Sequence, residues 1–359
     1  MTLAAIEFAY WQTTIFKLIL ALVVVLGAAG PSVYIYLFKM VSFMQSRLGP
    51  MEAGPHGSMQ LLAEVGKSAQ KEDIVPAAAD RFVFKAAPFV VLVSTFLLAL
   101  VVPFGPDATF VDLDVGIFFA LAVSSISVIG ILMAGWASAS KYSLLGGLRA
   151  AGQLIAYELP LVLAVVGVVI QAGSLNMQRI VDAQIQGEIF GITAIGNPYI
   201  LTQIVGFFIF MIAVQAELTQ VPFDMPIAES ELVSGYMTEY SGFRFLMFFI
   251  GEFATANIFA FMASVLFLGG WGVPQAFMDA IPGLATETVN GEIVYSNAFN
   301  VLGPAIMLAK MFALTFIIYW VRFTFPRFRE DQLQRFAWKV LIPLALVNIA
   351  ITGVLKVVF

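Results

Sequence analysis

The chain has 359 residues, of which 60% are hydrophobic and only 11% are charged. An ordinary soluble domain is about one quarter charged, so this composition excludes a soluble protein and predicts an integral membrane protein. There is no cysteine and only one histidine, which excludes disulfides, iron–sulfur clusters bound by this chain and a thiolate zinc site. Any redox cofactor is therefore expected on a partner. The formal net charge of −5 matters less than where the charges fall.

Eight apolar runs are long enough for a helix to cross a bilayer, which takes roughly 20 residues. None of them alternates between apolar and polar residues, as the strands of a membrane β-barrel would. The sequence therefore predicts an all-α integral membrane protein, a bundle of eight transmembrane helices in a single domain over residues 1–359. The runs are 16–38, 85–102, 115–135, 151–171, 200–216, 245–269, 301–321 and 341–358.

The basic residues orient this predicted bundle. Fourteen of the 18 Lys and Arg residues fall on one side of it, which the positive-inside rule assigns to the cytoplasm. Both termini are then expected on the outer face of the cell inner (plasma) membrane. The first run is too long for a signal-peptide core and is expected to stay as an anchor. The basic side holds the connections 39–85, 136–150, 217–244 and 322–339, and the other side holds Lys17, Arg179, Lys310 and Lys356.

The long connection after the first span has a pattern of its own. Met59, Leu62 and Val65 fall on one face of a helix whose other face is largely polar. This pattern predicts an amphipathic helix in the membrane interface, and a loop tethered by hydrophobic contacts remains the alternative. The preceding residues RLGPMEAGPHG contain two Gly-Pro pairs and are expected to bend sharply.

The segment AELTQVPFDMPIAESELVSGYMTEYSG, residues 216–242, holds five carboxylates and no Lys or Arg. Pro222 and Pro226 break any continuous helix, so VPFDMP is expected to fold back into the bundle. AESELVSGYMTEY is expected to be helical. Because clustered like charges disfavour simultaneous ionisation, the acids are expected to share protons. A solvated acidic loop that docks a basic partner remains the alternative. The acids are Glu217, Asp224, Glu229, Glu231 and Glu239.

Two further acids fall inside predicted spans. Glu158 lies about two turns into the fourth apolar run, and Glu252 lies similarly deep in the sixth. An ionised acid there costs at least a few kcal/mol, so it normally faces the bundle interior or a water-filled cavity. The alternatives are a single acid hydrogen-bonded by a neighbour such as Tyr157, and an acid near enough the surface to remain hydrated. Together with the acidic segment, the pair predicts a polar path into the membrane.

Four long motifs resemble the quinone-site membrane subunit, the H subunit, of bacterial NADH:quinone oxidoreductase, respiratory complex I. They are KEDIVPAAADRFVF, GWASASKYSLLGGLRAAGQLIAYELP, the acidic segment and FLGGW, in the family's order between Arg47 and Trp338. The resemblance implies a membrane subunit of a proton-translocating complex, with quinone as bound substrate and both flavin and iron–sulfur clusters on partner subunits. Its implied partners are other membrane-arm subunits, the peripheral-arm subunits and lipid.

The resemblance also implies roles for individual residues. The implied proton path comprises Glu158, Glu217, Asp224, Glu229, Glu231, Glu239 and Glu252. The implied quinone chamber and entrance comprise Arg47, Glu64, Phe223, Asp224 and Glu229. The implied docking residues for the peripheral arm are Lys71, Glu72, Asp73, Tyr236 and Tyr240. Loops 39–84 and 217–244 are expected to form that interface on the cytoplasmic side.

Several positions depart from the family's charged residues, which implies a divergent member. Two other functions remain as alternatives. A membrane anchor of an ion-pumping hydrogenase or of a dehydrogenase that does not use NADH would have a related sequence. A self-standing secondary transporter would have repeated halves with broken helices, and the sequence shows neither. The departures are Leu37, Phe38, Glu52, Gln220 and Ile227.

Overall fold

The computed structural model describes residues 10–106, 108–187, 196–274, 287–289 and 292–358. These residues form a helical bundle, with one hairpin in which β1 Glu287–Val289 pairs antiparallel with β2 Glu292–Val294. The predicted all-α membrane fold is confirmed. The helices are α1 Tyr10–Ser32, α2 Val41–Met44, α3 Gln60–Gln70, α4 Arg81–Val101, α5 Gly116–Ala137, α6 Lys141–Ala172, α7 Met177–Gln186, α8 Tyr199–Thr202, α9 Ile204–Glu217, α10 Glu229–Leu232, α11 Gly242–Phe267, α12 Asn297–Thr324, α13 Glu330–Phe336 and α14 Ile342–Val358.

Two of the membrane helices are composite. A π-helical stretch, Val33–Met40, joins α1 to α2, and another, Ala337–Leu341, joins α13 to α14. With these joints, seven helices among the described residues are long and apolar enough to cross a membrane. The chain is therefore a multi-pass membrane protein.

The fifth predicted span, residues 200–216, is interrupted and is not among these seven helices. It consists of α8 and α9, separated at Gln203, whose dihedral angles (φ −118, ψ 38) are not helical. The Gln203 side chain bonds Thr352 at 2.6 Å and Asn348 at 2.7 Å on α14. The 14 residues of α9 extend about 21 Å at 1.5 Å per residue, which is less than the hydrocarbon thickness of roughly 30 Å. The count of eight spans therefore stays a prediction, with α9 as the short member.

Small residues allow the central helices to approach closely. A Cβ added to Gly135 on α5 would lie only 3.0 Å from the Cα of Gly147 on α6, so glycine at both positions brings these two backbones together. At the centre of the bundle stands α11, in which every residue from 256 to 267 is buried. Its burial fixes the position of Glu252, one turn before that stretch.

The acidic segment forms two short helical pieces. The helix α10 covers four residues and ends at Leu232, and a single 3-10 turn follows at Gly235–Met237. The predicted helical character of AESELVSGYMTEY is therefore confirmed only in part, because positive φ angles at Val233 (+65) and Gly235 (+53) interrupt the helix. The prediction for VPFDMP is confirmed. Phe223 and Met225 are about 4% and 3% exposed, so this bent segment folds into the bundle.

The predicted helix after the first span is present as α3. None of its residues is buried. Leu62 is 65% exposed, and Met59, just before the helix, is 53% exposed. Leu61 instead lies against the α1 end, where it is the nearest side chain to Gly30. Its position in the membrane interface remains a prediction.

Candidate functional site

A polar cavity of about 50 Å³ lies between α4, α5 and α11, where α9 ends and the bent segment begins. The carboxylates of Glu217 and Glu252 both line it. A cavity needs about 10–15 Å³ to hold one water molecule, so this one has room for a few. The hydroxyl-bearing residues of its wall are Ser94, Thr95, Ser124, Ser127, Thr219, Tyr236 and Thr255.

Glu217 is the last residue of α9 and points its side chain into the bundle. One of its carboxylate oxygens, Oε2, is buried and has no hydrogen-bond partner in the described part of the chain. Glu158 on α6 lies close enough for its charge to act on that of Glu217. A buried carboxylate oxygen without a protein partner is satisfied by water or by a proton.

Glu158 lies deeper in its helix than the sequence indicated. Because α6 begins at Lys141, ten residues before the apolar run, Glu158 stands near the middle of a 32-residue helix. Its carboxylate accepts a hydrogen bond from Ser125 Oγ on α5. The proposed alternative partner, Tyr157, instead donates its hydroxyl to Leu333 O at 3.0 Å.

An arginine from a different helix compensates the charge of Glu252. Arg322 on α12 places Nη1 3.3 Å from Glu252 Oε1, and Gln220 Nε2 lies 3.4 Å from the same oxygen. The Arg322 guanidinium also lies 5.5 Å from the Phe253 ring centroid and 5.6 Å from that of Phe323, within the range of cation–π attraction. Gln220, one of the departure positions, is thus a direct partner of the acid.

Asp224 lies in the bent segment, outside the membrane spans. Burial raises its pKa to about 6, from an ordinary value of 3.8. The positive charges of Arg327 and Arg322 oppose this rise, whereas the negative charge of Glu252 adds to it. Asp224 therefore exchanges its proton close to neutral pH and senses the charge of Glu252.

Glu231 and Glu239 do not line the cavity. Glu231 has a 51% exposed side chain and pairs with Arg149 at 2.7 Å and with Arg327 at 3.2 Å. The hydrogen bond from Arg149 is the main reason that the pKa of Glu231 is lowered. Glu239 is half-buried, and the side chain of Glu229 lies outside what the structure describes. Glu231, held in surface ion pairs, is therefore separate from the acids of the cavity.

The residues expected at the quinone entrance lie in two places. Phe223 is buried, with its ring centroid 5.1 Å from Tyr157 and 5.5 Å from Phe328. Arg47 is exposed and donates to Gln45 at 2.7 Å, and Glu64, half-buried on α3, accepts from Gln60 at 3.2 Å. The side chains of Arg47 and Glu64 thus bond only to near neighbours in the connection after the first span, as far as the structure describes them.

The departure positions fall in different environments. Leu37 and Phe38 pack beside an aromatic cluster that contains Tyr36 of the π-helical stretch after α1, Phe253 of α11 and Tyr319 of α12. The rings of Tyr36 and Tyr319 stack with centroids 5.6 Å apart, and those of Phe253 and Tyr319 with centroids 5.9 Å apart. Glu52 is exposed, and Ile227 packs beside the buried residues around Tyr236.

The expected docking residues divide into exposed and buried groups. Lys71, Glu72 and Asp73 are exposed, and Asp73 pairs with Arg244 at 2.7 Å. Tyr236 and Tyr240 are only 5% and 6% exposed. These two tyrosines pack within the chain, so a role in docking does not fit their burial.

The Tyr240 hydroxyl donates to Phe84 O at 3.0 Å, and its ring stacks on Phe84 with centroids 4.1 Å apart. Tyr236 lines the polar cavity, where burial raises its pKa. Both rings therefore hold the acidic segment against the core of the bundle.

Three features of the site had no signal in the sequence. Ser125 is the partner of Glu158, Arg322 is the partner of Glu252, and the hydroxyls of Thr95 and Thr255 meet at 2.9 Å beside the cavity. Each contact joins residues far apart along the chain. Among the described residues no group of three His, Asp or Glu side chains is arranged to hold a metal ion.

Comparison with known proteins gives a consistent result. Residues 16–353 match the family described as NADH dehydrogenase. The chain belongs to this family. A relative from Brevibacillus brevis, named as the H subunit of NADH-quinone oxidoreductase, is 42% identical over 347 residues, covering 96% of this chain and 94% of the relative. Relatives of the same name from Bacillus cytotoxicus and Bacillus cereus (strain B4264) are 45% and 44% identical over 323 residues, which cover 89% of this chain and 87% of each relative.

Membership of the NADH dehydrogenase family confirms the resemblance drawn from the four motifs. The matched region runs from within α1 to within α14 and contains all the helices between them. The cavity and its acids therefore lie within the part of the chain that the family shares.

Proposed function

We propose that this chain is the quinone-site membrane subunit of a proton-translocating NADH:quinone oxidoreductase. In this proposal it forms the quinone-binding chamber and an acidic path that couples quinone reduction to proton movement. In this proposal the flavin and the iron–sulfur clusters belong to partner subunits, and the lack of cysteine in this chain supports that placement for the iron–sulfur clusters. The names of the relatives support the proposal, and so does the arrangement of acids in the membrane.

The observation that carries the proposal is the shared cavity of Glu217 and Glu252. Two carboxylates face a polar space within a bundle whose other contacts are mostly apolar. Buried acids of this kind mark proton routes in membrane proteins. Glu158 extends the route on the side of α6, and Asp224 extends it toward the basic side of the membrane. We assign Glu231 to a surface ion-pair network rather than to this route.

We place the quinone beside the aromatic cluster formed by the π-helical stretch Val33–Met40, α11 and α12. Tyr36, Phe253 and Tyr319 are themselves buried and would form the apolar backing of this place. Arg322 lies at the inner end of this cluster, next to Glu252. On the exposed side, α3 with Glu64 and the loop with Arg47 form the entrance, and Lys71, Glu72 and Asp73 dock the peripheral arm.

In the proposed mechanism, charge on the quinone acts on Arg322 and on the nearby acids. Reduction of a quinone to a quinol takes up protons together with electrons, which a partner subunit supplies. Negative charge that develops on the quinone weakens the hold of Arg322 on Glu252, because one guanidinium then serves two anions. Glu252 and Asp224 then bind protons more tightly, and the cavity passes the change to Glu217 and Glu158.

The assembled complex in vesicles tests this route. Glu217→Gln and Glu158→Gln keep the shape of each side chain but remove its ionisation, so proton translocation per quinone reduced is expected to fall strongly. The matched control is Glu231→Gln, an exposed acid from the same segment, which is expected to keep normal coupling. Full coupling in both cavity variants would refute the route.

Quinone extraction from the purified complex tests the substrate. We expect a bound quinone that a competing quinone analogue displaces. A complex that contains no quinone and shows no quinone-dependent oxidation of NADH would favour the hydrogenase-type anchor. Identifying the co-purified subunits by mass spectrometry checks the proposed partners, and protease accessibility of the two termini checks their outward orientation in the plasma membrane.

A further inference from the structure

An apolar groove of about 350 Å³ runs along the outside of the bundle between α9, α12 and the end of α13. Its volume falls in the range of about 300–1,000 Å³ that small-molecule sites occupy. Six of its 13 lining residues are phenylalanines. They are Phe207, Phe208, Phe223, Phe325, Phe328 and Phe336.

Nearly all side chains that line this groove are apolar. Gln215 is its one polar side chain, and the amide nitrogen of Gln215 is taken up by Val221 O at 2.8 Å and Ile318 O at 3.3 Å. Phe208 and Phe325 are 59% and 55% exposed, so the groove opens to the surroundings of the helix bundle. A hydrocarbon chain suits this lining, whereas a polar ligand has no partner in it.

Two basic residues lie close in sequence to Phe336 of the groove wall. Arg335 directly precedes the lining residue Phe336, and Lys339 follows one turn later. Both are exposed, and neither has an ion pair among the described residues. Trp338 between them is 54% exposed. Exposed tryptophan beside Lys and Arg is typical of the level of lipid headgroups, and such cations attract anionic headgroups.

We infer that this groove binds an anionic phospholipid, with one acyl chain along the phenylalanines and the headgroup at Arg335 and Lys339. The apolar wall and the two basic residues together select this occupant over a zwitterionic lipid. The site is distinct from the proposed quinone chamber on the π-helical stretch Val33–Met40, α11 and α12.

The bound chain would touch the back of the acidic segment. Phe223 forms part of the groove wall and directly precedes Asp224. Lipid in the groove would therefore contact the bent segment from the membrane side. Within the protein, the rings of Tyr157 and Phe328 already contact Phe223 of that segment.

The test uses the whole purified complex in phosphatidylcholine nanodiscs. Trace phosphatidylglycerol or trace phosphatidylcholine, each with a photoactivatable acyl chain, is crosslinked, and the labelled peptides of this chain are identified. We expect the groove peptides to be labelled preferentially by phosphatidylglycerol, on the order of tenfold for two basic residues near the headgroup.

Variants separate the two parts of the site. Met211→Trp fills the groove and is expected to reduce labelling by both lipids. Arg335→Gln combined with Lys339→Gln is expected to abolish only the preference for phosphatidylglycerol. Arg335→Lys with Lys339→Arg keeps the charge and should keep the preference, as should Arg179→Gln, a basic residue of the opposite side.

Several results would overturn the inference. Equal labelling by the two lipids, labelling that Met211→Trp leaves unchanged, or a stronger signal from a photoactivatable isoprenoid quinone would each do so. Crosslinks from the groove to a peptide of a partner subunit would show that protein covers it. Should a variant fail to assemble, the parent complex still decides, because rising salt must weaken the preference for phosphatidylglycerol.

Discussion

Asp224 gives the sharpest test of the electrostatics, because it lies outside the membrane spans and titrates near neutral pH. Its pKa is raised from 3.8 to about 6, chiefly by burial. One pKa unit corresponds to about 1.36 kcal/mol, so ionised Asp224 costs the folded state roughly 2–3 kcal/mol, after discounting for its partly exposed side chain. The variant Asp224→Asn has the same shape and no ionisation, and it removes this cost.

The sign of the pH dependence follows from proton binding. Between about pH 4 and pH 6 the folded protein holds the Asp224 proton that the unfolded chain has released. Stability therefore falls as pH rises through this window, and the full cost is present above about pH 6. Asp224→Asn is expected to be more stable than the parent above pH 6 and to match it below pH 4.

Thermal unfolding of the purified complex across this pH range measures the effect, and infrared spectroscopy of the carboxyl band follows the proton itself. The control is Asp331→Asn, which removes an aspartate that is 45% exposed and pairs with the exposed Arg329 at 3.0 Å. A surface ion pair contributes at most about 1 kcal/mol, so this variant should not reproduce the stabilisation expected of Asp224→Asn. A carboxyl band that titrates near pH 4, or an Asp224→Asn profile identical to that of the parent, would show that burial does not govern this group.

Three further predictions concern the same site. Arg322→Gln leaves Glu252 without its cation and is expected to cost about 3–5 kcal/mol, with part of the loss recovered in the double variant that adds Glu252→Gln; heat stability of the complex measures both. Thr255→Val removes a hydroxyl of the cavity and should slow proton translocation several-fold, whereas Thr255→Ser should not. Gly235→Ala forces a φ of +53 on a residue with a Cβ and should cost about 2 kcal/mol or more, measured against Gly66→Ala on an open helix face.

The aromatic and basic surroundings of the acids explain how the chain tolerates them. Arg322 faces Glu252, and Arg149 and Arg327 face Glu231. These arginines belong to α6, α12 and the connection after α12, far from the acidic segment in sequence. The segment is therefore uncompensated only when it is read by itself.

Helix positions were largely predictable, because hydrocarbon imposes a minimum apolar length on any span. The exact ends of the helices and the breaks within them were not predictable. α6 begins ten residues before its apolar run, and the span at 200–216 breaks at Gln203, since hydrogen bonds to Thr352 and Asn348 stabilise the break. Local composition does not record such long-range bonds.

The same division holds for the candidate site. The sequence by itself determined that this is a membrane protein of the NADH dehydrogenase family, and which acids lie in or beside its spans, because the solvent and the motifs are written in local residue order. Only the tertiary structure decided which acids share a cavity, which ones meet arginines and which tyrosines are buried. Those outcomes depend on distances across the bundle, and electrostatic and hydrogen-bond energies at a few ångströms respond to distance in space rather than to separation along the chain.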